Sequence, residues 1–159
     1  MEIERKFIIK QLPENLADYE MKHIEQAYLN IDPVVRIRKE DTKYYLTYKE
    51  KGLLIREEYN LPLDEKSYYH LRLKADGNVI SKNRYIIPIP SIDSVGQSGL
   101  SVELDIFDAP FAPLIIAEVE FPDIESAHKF KPLDWFGTEV TLDAEYHNSN
   151  LSRKVFGQK

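Results

Sequence analysis

The chain has 159 residues, room for one domain with a core and too little for two. It is 43% hydrophobic and 11% aromatic, carries a formal charge of -6 and has no cysteine; this excludes disulfides, thiolate metal sites and cysteine nucleophiles, and leaves no overall field to draw nucleic acid or an anionic membrane. The opening MEIERK has acids where a secretory signal carries a basic then apolar run, and no apolar stretch nears the roughly 20 residues of a membrane span, so a soluble cytoplasmic protein is expected.

Period-two alternation predicts a first strand over 1–9. A turn of helix opens at Pro13-Glu14-Asn15 and runs towards Tyr19. A weaker strand follows over 24–31, then strands over 34–39, 43–50 and 53–61. Asp64 reads as the N-cap of a helix over 65–75, with Tyr68, Leu71 and Ala75 on one face. A strand over 79–88, a Ser- and Gly-rich turn over 91–99, and strands over 101–108 and 114–121 come next. Asp123 caps a last helix over 124–130, stopped by Pro132. The expectation is a single domain over 1–159, mostly β, with helices outside.

Side chains two apart on a strand point the same way. Glu2, Glu4 and Lys6 therefore share a face, with Ile3, Arg5 and Phe7 opposite. Arg36 and Arg38 repeat the arrangement, followed by Thr47 and Lys49, Arg56 and Glu58, Lys82 and Arg84, Glu103 and Asp105, and Glu118 and Glu120. Any one pair suits the solvent face of an ordinary sheet. Together they sort by sign, basic in the middle of the chain and acidic at the start and near the end, whereas a solvent face is usually mixed. Leu104, Val119 and Phe121 on the other face also need cover. A closed barrel with a charged lumen and an apolar exterior, partly covered by helices, satisfies both faces.

Inside such a barrel Lys6, Arg36, Arg38, Lys49, Arg56, Lys82 and Arg84 balance Glu2, Glu4, Glu58, Glu103, Asp105, Glu118 and Glu120. Crowded carboxylates raise one another's pKa unless cations sit between them, and a cluster of Arg and Lys invites an anion. A wet hollow that takes up metal and polyphosphate resolves both conflicts.

The pattern E-x-E-x-K at Glu2, Glu4 and Lys6 continues through QAYL (26–29), RIR (36–38), LTYK (46–49), REEY (56–59), KNRY (82–85), VELDIF (102–107), AEVEF (117–121) and WFGTEVT (135–141), ending in the Y-x-N-x-x-L of Tyr146, Asn148 and Leu151. On these motifs, which span nearly the whole chain, the protein resembles the CYTH superfamily, the triphosphate tunnel metalloenzymes. The resemblance implies a closed antiparallel eight-stranded β-barrel that binds triphosphates with Mg²⁺ or Mn²⁺ inside. It implies metal-side carboxylates at Glu2, Glu4, Glu118 and Glu120, with Glu103 and Asp105 beside them and Glu58 a further candidate. It implies phosphate ligands at Lys6, Arg36, Arg38, Lys49, Arg56, Lys82 and Arg84.

Lys82 or Lys6 is a candidate general base if neighbouring cations lower its pKa, the alternative being simple phosphate binding. Tyr28 is a candidate to hydrogen-bond Lys6, the alternative being a packed aromatic. Ala27 stands where relatives carry Gly in Q-G-Y-L, and Asn60 where many carry another acid. The stretch 141–156 is expected to pack against the barrel and close one end.

The motifs QAYL and WFGTEVT are similar to those of short bacterial family members, which implies hydrolysis of inorganic triphosphate to diphosphate and phosphate. Class IV adenylate cyclase, thiamine triphosphatase and a non-catalytic polyphosphate or nucleotide binder are the alternatives. The partner is thus a small triphosphate (inorganic triphosphate, ATP or thiamine triphosphate), not nucleic acid and not a membrane; an apolar barrel flank is compatible with a homodimer. His23, His70, His128 and His147 show no metal-binding spacing and read as surface histidines. Gly96-Gln97-Ser98-Gly99 lacks the Gly-Lys of a P-loop, and Trp135 and Phe136 are expected to pack on the barrel wall.

Overall fold

The structure is a computed structural model that describes residues 1–90 and 99–156. The turn expected over 91–99 and the Gly96–Gly99 stretch fall almost wholly outside the described residues. Among the described residues nine strands form: β1 (Glu2–Ile8), β2 (Glu20–Ile31), β3 (Val34–Glu40), β4 (Lys43–Lys49), β5 (Ile55–Arg56), β6 (Glu58–Leu63), β7 (Asp76–Pro88), β8 (Ser101–Phe107) and β9 (Ile115–Glu120). Among the described residues three α-helices accompany them: α1 (Glu65–Arg72) between β6 and β7, and α2 (Ile124–Lys129) and α3 (Asn148–Leu151) after β9. None of the described helices is long and apolar enough to cross a membrane.

The strands make one antiparallel sheet in the order β5-β1-β9-β8-β7-β2-β3-β4-β6. Its two edges, β5 and β6, are separated in the chain only by Glu57. Arg56 lies opposite Glu2 on β1, while Glu58 lies opposite Lys49 on β4. One interrupted strand over 55–63 thus bridges both ends of the sheet and closes an eight-stranded barrel. The strand expected over 53–61 breaks at Glu57 because there the chain passes from one neighbour to the other. Below β5, residues 137–141 take its place beside β1: Ile8 N–H donates to Thr138 O at 2.8 Å and Val140 N–H to Lys6 O at 2.8 Å. The WFGTEVT motif is part of the closure.

Other boundaries move for similar reasons. β2 begins at Glu20 rather than 24, because pairing with β7 from Ile86 to Asn83 extends it through Glu20–His23, which show no apolar alternation. Asp64 caps α1 as expected, accepting from Ser67 N–H at 2.6 Å, but the helix ends at Arg72 and tightens into turns before β7. Asp123 caps α2 in the same way.

The outer face is apolar. Ile3, Phe7, Val102, Leu104, Val119 and Phe121 pack with Ala127 of α2, Phe130, Trp135 and Phe136. Ala27 and Ile37 pack under Tyr68 of α1 on another flank. The inner face is not charged throughout. Along β7 it runs Ile80, Lys82, Arg84; along β8 it runs Phe107, Asp105, Glu103; along β9 it runs Ile116, Glu118, Glu120. At one end Ile80, Phe107 and Ile116 join Tyr28, Val34, Phe111 and Leu151 in an apolar floor.

α3 belongs to this floor. It is tied to the start of β7, where Asn78 N–H donates to Ser152 O at 2.6 Å and Asn78 Nδ2 to Lys154 O at 2.7 Å. Gly77 allows that approach: its φ is +71°, and a Cβ there would lie 2.3 Å from Ser152 O. The expected closing of one end by 141–156 takes this form.

Candidate active site

Above the floor lies a hollow of about 310 Å³. Of the residues expected in a site, Glu2, Glu4, Lys6, Tyr28, Arg36, Arg38, Lys49, Arg56, Glu58, Arg84, Glu103, Glu118 and Glu120 line it. Each of the nine strands contributes at least one of them, and closure of the barrel brings them together. Lys82 and Asp105 do not line it; both are fully buried. Asp105 accepts a fork from Arg84, Nε to Oδ1 at 2.7 Å and Nη2 to Oδ2 at 2.8 Å. Its Oδ2 also lies 2.7 Å from Lys82 Nζ, which donates to Asn148 Oδ1 at 3.2 Å and stands 5.2 Å above the Phe107 ring.

Charge is unevenly matched inside the hollow. Glu118 lies 3.6 Å from Lys6 and 3.7 Å from Arg84; burial opposes its charge, but Lys6, Arg84 and Lys82 hold its carboxyl well below the usual range. Glu2 is 2.9 Å from Lys49 and 4.0 Å from Arg56. Burial raises Glu2 even so, and burial with the neighbouring Glu118 and Glu2 raises Glu4 despite Lys6 at 3.5 Å. At the rim, burial together with Glu2, Glu103, Glu4 and Glu58 pushes Glu120 up to about 7. An acidic bank therefore stands on β1 and β9 with too few cations.

The opposite bank is basic and equally unmatched. Arg38 forks onto Gln26 Oε1 at 2.9 and 2.6 Å, and Arg36 Nη2 donates to Thr47 Oγ1 at 3.1 Å. Among the described residues no carboxylate pairs with either guanidinium, since the site's ion pairs run to Lys6, Lys49, Arg56, Lys82 and Arg84. Burial, with Arg36 and Arg84 adding to it, lowers Arg38. Asn60, at the position where the resemblance leads one to expect another acid, accepts from Thr47 and donates to Glu58 at 3.5 Å, so it extends the Arg36 network.

The donor chemistry fits a hard cation. Carboxylate oxygens are the preferred ligands of Mg²⁺ and Mn²⁺, and a cation on the acidic bank would relieve the crowding that raises Glu4 and Glu120. In their present positions, among the described residues, no three His, Cys, Asp or Glu side chains converge closely enough to form a coordination sphere.

The two lysines differ. Burial lowers Lys6, but Glu118 and Glu4 outweigh it and hold the ammonium above its ordinary range. Burial pulls Lys82 down to about 7 against the pull of Asp105, with Arg84 and Arg38 adding to the fall. Tyr28 lines the hollow and its hydroxyl accepts from Gln26 Nε2 at 3.2 Å.

Sequence reasoning missed one histidine. His23, His70 and His128 are exposed, but His147 is buried at 6% exposure and lines the hollow beside Asn148 and Ser149. No spacing rule finds it, because its place depends on how the 137–152 segment folds under the barrel; its position inside the Y-x-N-x-x-L motif, between Tyr146 and Asn148, was the available signal.

A family model, the CYTH domain, matches residues 1–152. The chain belongs to the CYTH family. Two relatives of this CYTH chain are named inorganic triphosphatase. The one from Nitrosomonas europaea is 34% identical over 97% of this chain and 98% of its own length. The one from Acetivibrio thermocellus is 33% identical over 98% of this chain and 95% of its own length. The crystal structure of an inorganic triphosphatase superposes with a TM-score of 0.72 at 32% identity, covering 99% of this chain and 97% of the other. The tunnel architecture expected from the motifs is the one observed.

Proposed function

We propose that this CYTH domain hydrolyses a linear triphosphate, inorganic triphosphate to diphosphate and phosphate, with Mg²⁺ or Mn²⁺. The observation that carries the reading is the split of one hollow into two banks: Arg36 and Arg38 without a carboxylate partner, and Glu4 and Glu120 with raised carboxyls. A polyanion with its metal is the ligand that completes both banks at once. The names of the two full-length relatives support the same substrate.

In this reading Arg36, Arg38, Lys49 and Arg56 grip phosphate oxygens, the arginines by forked contacts and the lysine as a point charge. Lys6 stays protonated and joins them. Glu2, Glu4 and Glu120, with Glu58 and Glu103 next to them, would hold the cation. The chemistry it supplies is neutralisation of phosphate charge and activation of water. Phosphoryl transfer needs mainly positioning and charge stabilisation, which the two banks provide without a covalent nucleophile. Lys82 has the lower proton affinity of the two candidate bases but lies behind Arg84, so it acts as a positioning residue. Together with Arg84 it holds Asp105, and Asp105 aims Arg84 at the hollow. Glu118 serves chiefly to fix Lys6 and Arg84.

A second reading has one observation behind it. A groove of about 530 Å³ shares Arg36, Arg38, Glu58 and Asn60 with the hollow and continues past Tyr44, Tyr45, Leu61 and Pro62. It would seat the organic part of ATP or thiamine triphosphate. Incubation with inorganic triphosphate, ATP and thiamine triphosphate, each with Mg²⁺, Mn²⁺ or EDTA, separates the readings. Phosphate release from inorganic triphosphate far above the other two supports the first. Preferential turnover of an organic triphosphate moves the function to the second, and cyclic AMP would identify a cyclase. Binding without turnover under every metal would make the domain a sensor.

A further inference from the structure

Among the described residues only two buried side-chain polar atoms lack a hydrogen-bond partner, Arg36 Nε and His147 Nε2. Both residues line the same hollow. An unsatisfied buried polar atom costs on the order of 1–3 kcal/mol, so a folded chain keeps one chiefly where something else supplies the partner. Arg36 already belongs to the basic bank. His147 comes from a different part of the chain, the segment under the barrel between the turn over Ala144–Tyr146 and α3.

We propose that His147 is a phosphate ligand at the closed end of the hollow, donating from Nε2 to an oxygen of the innermost phosphate and so fixing how deep a triphosphate enters. The assignment rests on the triphosphatase reading above. Three features support it. The ring is neutral near neutral pH, because burial and the charges of Lys6 and Arg56 lower it to about 4; it adds a directed hydrogen bond without further charge to a wall that is already basic. Its neighbours Lys6 and Arg56 are themselves expected phosphate ligands, so the imidazole borders the same anion seat. Its backbone is held on both sides, with His147 N–H donating to Ala144 O at 3.1 Å and its carbonyl accepting from Asn150 and Leu151 at 2.9 Å each. The backbone that carries the ring is thereby fixed, which lowers the entropy lost on binding.

The same segment faces outward. His147, Ser149, Arg56 and Val34 also border a separate pocket of about 240 Å³ below the floor. His147 thus stands in the partition between the hollow and that pocket, where a ligand stops the chain rather than letting it pass through.

The test uses His147→Ala, His147→Asn and His147→Gln in the full chain. The Gln amide nitrogen reaches the place of the imidazole Nε2, whereas that of Asn reaches only the place of Nδ1. Affinity for inorganic triphosphate is read by calorimetry in EDTA, KM and kcat with Mg²⁺, and thermal melting without ligand. The Ala and Asn variants should bind triphosphate about tenfold more weakly and show a raised KM, with Gln restored to within about threefold of wild type and melting retained. Wild-type affinity in the Ala variant would overturn the proposal, as would equal weakening in all three variants. A wild-type chain that binds no triphosphate would sink the functional reading together with this one; a wild-type chain that hydrolyses it alongside unaffected variants would remove only His147.

Discussion

Arg84 and Asp105 stand directly opposite each other on β7 and β8 and are joined by two parallel hydrogen bonds, at 2.7 and 2.8 Å. Asp105 is fully buried, and Lys82 shares its second oxygen at 2.7 Å. The pair is the junction between the apolar floor and the ionic hollow, and it decides where the Arg84 guanidinium points.

Asp105→Asn should therefore damage the fold as well as the site. It leaves Arg84 and Lys82 buried without their counter-charge, a loss on the order of 3–5 kcal/mol for broken buried pairs. Urea unfolding of the variant reads this. A midpoint equal to wild type would show that Asp105 is not the structural anchor described here.

Arg38→Ala and Glu4→Gln should separate substrate from metal. Arg38 offers its charge to the hollow and is held by Gln26 with Tyr45 beside it; its loss should raise KM for triphosphate about tenfold or more, as for a charged hydrogen bond of roughly 1.5–3 kcal/mol. Glu4→Gln should instead raise the Mg²⁺ concentration needed for half-maximal rate, with KM nearly unchanged at saturating metal. Metal and substrate titrations of the two variants giving the same pattern would contradict the two-bank division.

Glu120 sets a pH dependence in metal-free protein. Its folded carboxyl titrates at about 7 against an ordinary value of 4.5. The folded state thus holds this proton more tightly than the unfolded state. The resulting stabilisation is complete below about 4.5 and is lost as pH rises to about 7. Glu4 and Glu103, also raised, act in the same direction. In EDTA, melting temperature should fall less across this range for Glu120→Gln than for wild type. Added Mg²⁺ should restore the wild type most at the alkaline end, where the carboxylates are free of protons. Parallel melting curves for the two proteins would refute the crowding.

Gly77→Ala should loosen the floor. The positive φ and the contact at 2.3 Å with Ser152 O leave no room for a methyl group. Strain of about 1–3 kcal/mol is expected at such a site, relieved by moving the chain from α3 onward away from β7. Hydrogen exchange at Asn78, whose N–H donates to Ser152 O, should accelerate; unchanged protection there would show that the close approach is dispensable.

Much of this molecule is legible before folding. Period-two alternation in β1, β7, β8 and β9 assigns Glu4, Arg84, Glu103 and Glu118 to one face and Ile3, Leu104 and Val119 to the other, since the pleat allows no other choice. The ordered motifs named the family, and with it the barrel. What alternation does not encode is height along the barrel axis. That is set by register and strand tilt between segments far apart in sequence. Only the closed barrel sends Lys82 and Asp105 behind Arg84 and gathers Ile80, Phe107 and Ile116 into a floor. It also turns Glu57 into the seam and draws His147 from an expected surface position into the wall. A strand's own residues choose the side on which each charge emerges; its distant partners choose the depth, and depth decides which charges meet a ligand and which meet only each other.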